Sequence, residues 1–83
     1  MMAQQNGALP KHLTETQTKT YLQYKRKLAK HLPNARIAWV LPIKKNIIEV
    51  YVETEKLTYR TGLKAAKLAT EVEDQTGVTI ILR

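Results

Sequence analysis

The chain contains no cysteine and no serine. Disulfides and cysteine-based zinc sites are excluded, and nucleophilic catalysis has little left to work with. A cysteine-free chain fits a reducing compartment, so a cytoplasmic location is expected. Glycine is scarce: Gly7, Gly62 and Gly77 are the whole supply. They form neither GxGxxG nor a P-loop, so no nucleotide cradle of either kind exists. Histidine is limited to His12 and His31, too far apart for an i, i+4 ligand pair or an HExxH motif. No metal site and no cofactor are expected. The longest apolar run, Ile37 to Ile43, falls far short of the roughly 20 residues that span a bilayer. Met1 to Asn6 carry neither the basic nor the apolar region of a signal peptide. No membrane association is expected, and no repeat or low-complexity tract interrupts the chain.

Acidic residues are also few. Seven Asp and Glu stand against fourteen Lys and Arg, a formal charge of +7 on 83 residues. A field of that sign favours polyanions, and it speaks to association rather than to fold. Eighty-three residues make one domain with a single modest core.

What is present is organised around Ile47 to Glu53. The stretch is rich in β-branched residues and free of Gly and Pro, which suits a half-buried strand. Ile48, Val50 and Val52 point one way; Glu49, Tyr51 and Glu53 point the other. A slip of one residue would bury both glutamates, so the register is well determined.

Residues 1–13, polar and broken by Gly7 and Pro10, read as a flexible leader, and 14–83 as the domain. A first helix is expected from Glu15 to His31, with Thr14 as N-cap and Gln17 completing a capping box. Pro33 ends it by holding Leu32 away from helical geometry. Tyr21, Leu22, Tyr24, Leu28, Ala29 and Leu32 make its apolar arc, and Lys19, Gln23, Arg26, Lys27 and Lys30 the opposite one. Lys25 falls inside the apolar arc, where its stem can snorkel along the core edge. Arg36 to Leu41 reads as a strand with two apolar faces: Ile37, Trp39 and Leu41 on one, Ala38 and Val40 on the other. Pro42 to Asn46 turns it antiparallel into the organising strand. Thr54 to Thr61 is a connection. A second helix runs from Gly62 to Gln75 with Gly77 as its stop signal, its inner side Gly62, Ala65, Ala66, Ala69 and Val72 with Leu68 beside them. Val78 to Arg83 closes the chain as a strand parallel to the organising one.

The expected architecture is α+β: a single small domain in α-β-β-α-β order, a three-stranded mixed sheet with two helices packed on one face. Ile37, Trp39, Leu41, Ile48, Val50, Val52, Val78, Ile80 and Leu82 form its sheet-side core. The other face stays uncovered, showing Ala38, Val40, Ile47, Glu49, Tyr51, Glu53, Thr79, Ile81 and Arg83. The element order resembles KH-like RNA-binding domains, but their GxxG clamp has no counterpart here. The strand, helix, Gly-containing turn and strand at the C-terminal end resemble small nucleotidyltransferase domains, whose Gly-Ser motif and paired aspartates are equally missing. Neither function transfers.

Three places carry functional expectations. The first is the basic stripe Lys19, Arg26, Lys27 and Lys30, with Lys44 and Lys45 at the hairpin tip. It can follow nucleic-acid phosphates without reading sequence. The second is the expected start of helix 2, where Arg60, Thr61, Gly62 and Lys64 surround free backbone N–H groups able to hold an anion. The third is the uncovered sheet face, with Val40, Tyr51 and Ile81 as an interface to a protein partner or a second copy. Glu49 and Glu53 share that face, but four strand residues separate them by about 13 Å, too far for a catalytic carboxylate pair. The chain is therefore expected to be a non-enzymatic binding domain. Nucleic acid is the leading partner and a homodimer or protein partner the alternative.

Overall fold

The computed structural model describes residues 12–56 and 58–83. Most of the expected leader lies outside them. Within them, helix α1 (Glu15–His31), strands β1 (Ala35–Lys44) and β2 (Ile47–Thr54), helix α2 (Tyr59–Thr76) and strand β3 (Thr79–Leu82) follow in the expected order. The sheet order is β1-β2-β3, so β2 is central. It pairs antiparallel with β1 and parallel with β3.

The α1 boundaries follow from its caps. The Gln17 N–H donates to Thr14 Oγ1 at 3.1 Å, and the Thr14 N–H donates to Gln17 Oε1 at 2.9 Å. This reciprocal pair satisfies two backbone donors that the helix itself leaves open. The buried stripe is Gln17, Thr20, Tyr21, Tyr24 and Leu28, the i, i+3, i+4, i+7 spacing of one helix face. Leu22 and Ala29, expected in the arc, lie outside it and are exposed. Lys25 is exposed, its Nζ 5.9 Å from the Tyr21 ring centroid, as the snorkelling reading expects.

Gln17 also joins two elements. Its Nε2 donates to the carbonyls of Lys44 and Lys45 at 2.7 and 3.2 Å. A buried glutamine thus clasps the β1–β2 turn against the first turns of α1. Tyr24 does the same between the helices: its buried hydroxyl donates to the Ala65 carbonyl at 3.0 Å. Ala65, Leu68, Ala69 and Val72 of α2 are buried, and Ala66, expected inside, is exposed. Both helices meet one face of the sheet, where Val40, Ile48, Val50, Val78 and Ile80 complete the core. Gly77 ends α2 in the left-handed region at φ 77°, its N–H returning to the Glu73 carbonyl at 2.8 Å. A residue with a Cβ is strained there.

The faces of β1 differ from the expected alternation. Ile37 pairs with Val52 and Trp39 with Tyr51, which leaves Ala38 as an unpaired extra residue; a second irregularity falls between Pro42 and Lys44. One extra residue inverts every side chain after it. Trp39 and Leu41 therefore turn to the uncovered face, 42% and 48% exposed, while Val40 enters the core at 3%. The expectation of Val40 on the open face and Trp39 and Leu41 in the core is corrected accordingly. Pairing sets the inversion: Val40 opposes Val50 inside, and Trp39 stacks on Tyr51 outside with ring centroids 5.1 Å apart.

Two outcomes follow from the buried polar contacts. Gln17→Glu keeps the side-chain shape but, once ionised, turns an acceptor towards two carbonyl oxygens. It is expected to lower unfolding stability by about 2 kcal/mol, measured by urea denaturation at neutral pH. Burial raises the Tyr24 hydroxyl far above a tyrosine's ordinary pKa. The folded state thus keeps a proton that the unfolded chain loses above pH ~10. The stability contributed by neutral Tyr24 is present below that pH and declines above it. Relative to Tyr24→Phe, the parent chain should lose up to about 1.4 kcal/mol per pH unit there, read from paired denaturation curves across pH 9 to 12.

Candidate functional site

The outer side of α1 gathers the basic stripe. Lys19, Arg26 and Lys30 lie opposite the buried residues and are exposed. Among the described residues none of the three takes part in a salt bridge. Positions 19, 26 and 30 fall within a narrow arc at 3.6 residues per turn and extend over roughly 16 Å of axis. That length matches about five phosphates of one strand at about 3.4 Å per charge. Glu15, four residues before Lys19 on the same side, is the one acid on α1.

Lys27 does not belong to this surface. Its ammonium lies 3.3 Å from Glu71 of α2, in the seam between the helices, with the side chain 28% exposed. The expected four-residue stripe is corrected to three, because one turn of helix carries position 27 round to the neighbouring element. Lys44 and Lys45 are exposed at the hairpin tip. The Gln17 bonds to their carbonyls hold that tip beside the N-terminal turns of α1. Lys30 stands with His31 in the last turn of α1, at the other end of the helix.

Arg60, Thr61, Gly62 and Lys64, expected to surround the start of helix 2, lie within its first turns instead. α2 starts earlier, at Tyr59, with Thr58 as its N-cap. The Thr61 N–H donates to Thr58 Oγ1 at 3.1 Å, the two threonine hydroxyls meet at 2.8 Å, and the Gly62 N–H donates to the Thr58 carbonyl at 3.0 Å. Two of the donors meant for an anion, the Thr61 and Gly62 N–H groups, are taken up by Thr58. Arg60 and Lys64 are exposed on an ordinary helical turn.

The uncovered sheet face keeps Tyr51 and Ile81 of the expected interface and loses Val40 to the core. Trp39 and Leu41 replace it, unforeseen because β1 is apolar on both sides and alternation could not choose between them. The glutamates of this face are paired: Glu53 with Arg36 at 3.0 Å and Glu49 with Arg83 at 2.8 Å. Glu73, an acid in the last turns of α2 where the helix dipole disfavours one, has a role the sequence did not show. Its Oε2 accepts the Ile80 N–H at 2.8 Å, on β3.

Among the described residues, no cluster of His, Asp and Glu could hold a metal ion, and no helix is long and apolar enough to cross a membrane. No family model, no curated protein and no solved structure matches the chain.

The division between Lys27 and its neighbours is testable by charge reversal. Lys27→Glu places a carboxylate against Glu71 and should cost about 1 kcal/mol of unfolding stability, recovered in part by adding Glu71→Lys. Lys30→Glu, which faces solvent, should stay within about 0.5 kcal/mol of the parent. Urea midpoints of the three variants decide it.

Proposed function

We propose that the protein is a binding domain for nucleic acid, contacting phosphates through the outer face of α1. Lys19, Arg26 and Lys30 in one exposed arc, without a carboxylate partner among the described salt bridges, are the observation that carries this reading. Each can neutralise a phosphate and release a condensed counterion, which supplies affinity without sequence information. Lys44 and Lys45, exposed at the hairpin tip, add two further cations to the domain. The excess of cations over acids in the chain adds long-range attraction that steers a polyanion towards it.

The reading predicts a salt dependence that can be assigned residue by residue. Fluorescence anisotropy with labelled single- and double-stranded DNA and RNA should give log affinity falling linearly with log salt. The slope should be about −0.9 per phosphate contact on duplex DNA and about −0.7 on single strands. Lys19→Gln, Arg26→Gln and Lys30→Gln should each remove about one contact from that slope, and Lys27→Gln should leave it unchanged. Absence of binding at about 50 mM salt, or binding that survives Lys19→Glu, Arg26→Glu and Lys30→Glu together, would sink the proposal.

A further inference from the structure

Among the described residues, the sheet face opposite the helices is left uncovered, and the basic helix does not use it. Trp39, Leu41 and Tyr51 form an exposed apolar cluster over β1 and β2, and half-buried Ile81 of β3 lies beyond Glu49 in the row Leu41–Glu49–Ile81. Exposed apolar side chains grouped in this way mark an interaction surface, whereas scattered ones do not. Its charges cancel locally. Arg36 with Glu53 and Arg83 with Glu49 are two ion pairs set into the face, so the surplus of +7 resides elsewhere on the chain.

We infer that this face associates with the same face of a second copy. Two bodies each carrying +7 repel one another in most orientations. Back-to-back packing of the sheets joins them through their neutral surface and turns the α1 stripes to opposite outer sides. A two-fold axis through the face also offers each arginine a glutamate of the partner, as self-complementary interfaces do. A polyanion fits the face poorly. Its arginines are already neutralised, and Trp39 and Tyr51 stack on each other at 5.1 Å, which engages one ring face of each.

Edge-to-edge association, the other route open to a small sheet, is obstructed on both sides. β1 is interrupted at Ala38 and again between Pro42 and Lys44, and bulges and proline both discourage strand addition. On β3 the Ile80 N–H is occupied by the Glu73 carboxylate. The size of the face sets the strength. Three strands about 4.8 Å apart, with rows about 3.3 Å apart along an eight-residue β2, outline roughly 14 by 26 Å. Such a face, about 360 Å² in outline and about 730 Å² for both partners together, falls short of the roughly 1,200 Å² at which stable interfaces begin. The dimer is therefore weak and reversible.

Trp39 is the single tryptophan of the chain and lies on this face, so its emission reports contact there. Sedimentation equilibrium and tryptophan fluorescence on the full chain, from about 1 μM to about 1 mM, should show a monomer–dimer transition. The Trp39 emission should shift to the blue over the same concentrations. Leu41→Lys and Ile81→Lys each place an ammonium beside Glu49 within the chain, which the fold tolerates, and bring like charges together between copies. Each should raise the dissociation constant at least about tenfold, with the circular dichroism spectrum unchanged. Leu22→Lys, on the exposed side of α1, should leave dimerisation intact. A monomer throughout, a dimer whose Trp39 emission does not move, or a dimer indifferent to Leu41→Lys and Ile81→Lys would each overturn the inference. None of these outcomes bears on phosphate binding by α1, which its own variants test.

Discussion

β2 is hydrogen-bonded on both edges, but the helices cover only one of its faces, and the rest of the molecule follows from that asymmetry. Ile48 and Val50 are wholly buried; Glu49, Tyr51 and Glu53 alternate with them on the other side. Among the described residues, two helices accompany a three-stranded sheet. Both are needed on one side to close a core around Tyr24, Leu28, Leu68 and Val72, since burial in small domains is limited. The opposite side of the sheet is left open by the arithmetic of layers. Its composition responds to that exposure with two aromatic rings stacked flat and every described acid on it matched to an arginine.

The sequence was legible where a single physical rule acted alone. The bounds of α1 follow from Thr14, Gln17 and Pro33, whose capping and φ restraint are local. The face of β2 follows from its glutamates, because burying either would strand a charge. β1 offered no such asymmetry: Ala38 and Val40 are as apolar as Ile37, Trp39 and Leu41. Only the pairing of Val40 with Val50 and of Trp39 with Tyr51 decides which set is inside, and that pairing needs a bulge no residue announces. The start of α2 was missed for a related reason. Thr58 and Thr61 are equally credible as caps in isolation, and the earlier cap adds nearly a turn of helix.

The site divides in the same way. A helical wheel separates Lys19, Arg26 and Lys30 from the core, because that separation depends only on the pitch of one helix. It cannot say which flank faces a neighbouring helix, and so it grouped Lys27 with residues that face solvent. Gln17 was invisible as anything but a cap residue. Its bonds to the Lys44 and Lys45 carbonyls join parts of the chain far apart in sequence, and one side-chain amide serves cap and clasp together.

The two surfaces differ in kind, and the difference has one origin. On α1 the cations project from a helix whose exposed side carries one acid, Glu15, so they carry charge outward with little to compensate it. On the sheet, adjacent strands bring side chains from distant segments to within hydrogen-bonding reach, and opposite charges find one another: Arg36 with Glu53 across β1 and β2, Arg83 with Glu49 across β2 and β3. A helix face exposes the charge written along it, while a sheet face edits its charge by pairing across strands. A surplus of positive charge in the chain is thereby sorted into a basic helical side and a neutral, apolar sheet side. Each is suited to a different class of contact, with no residue among those described serving both.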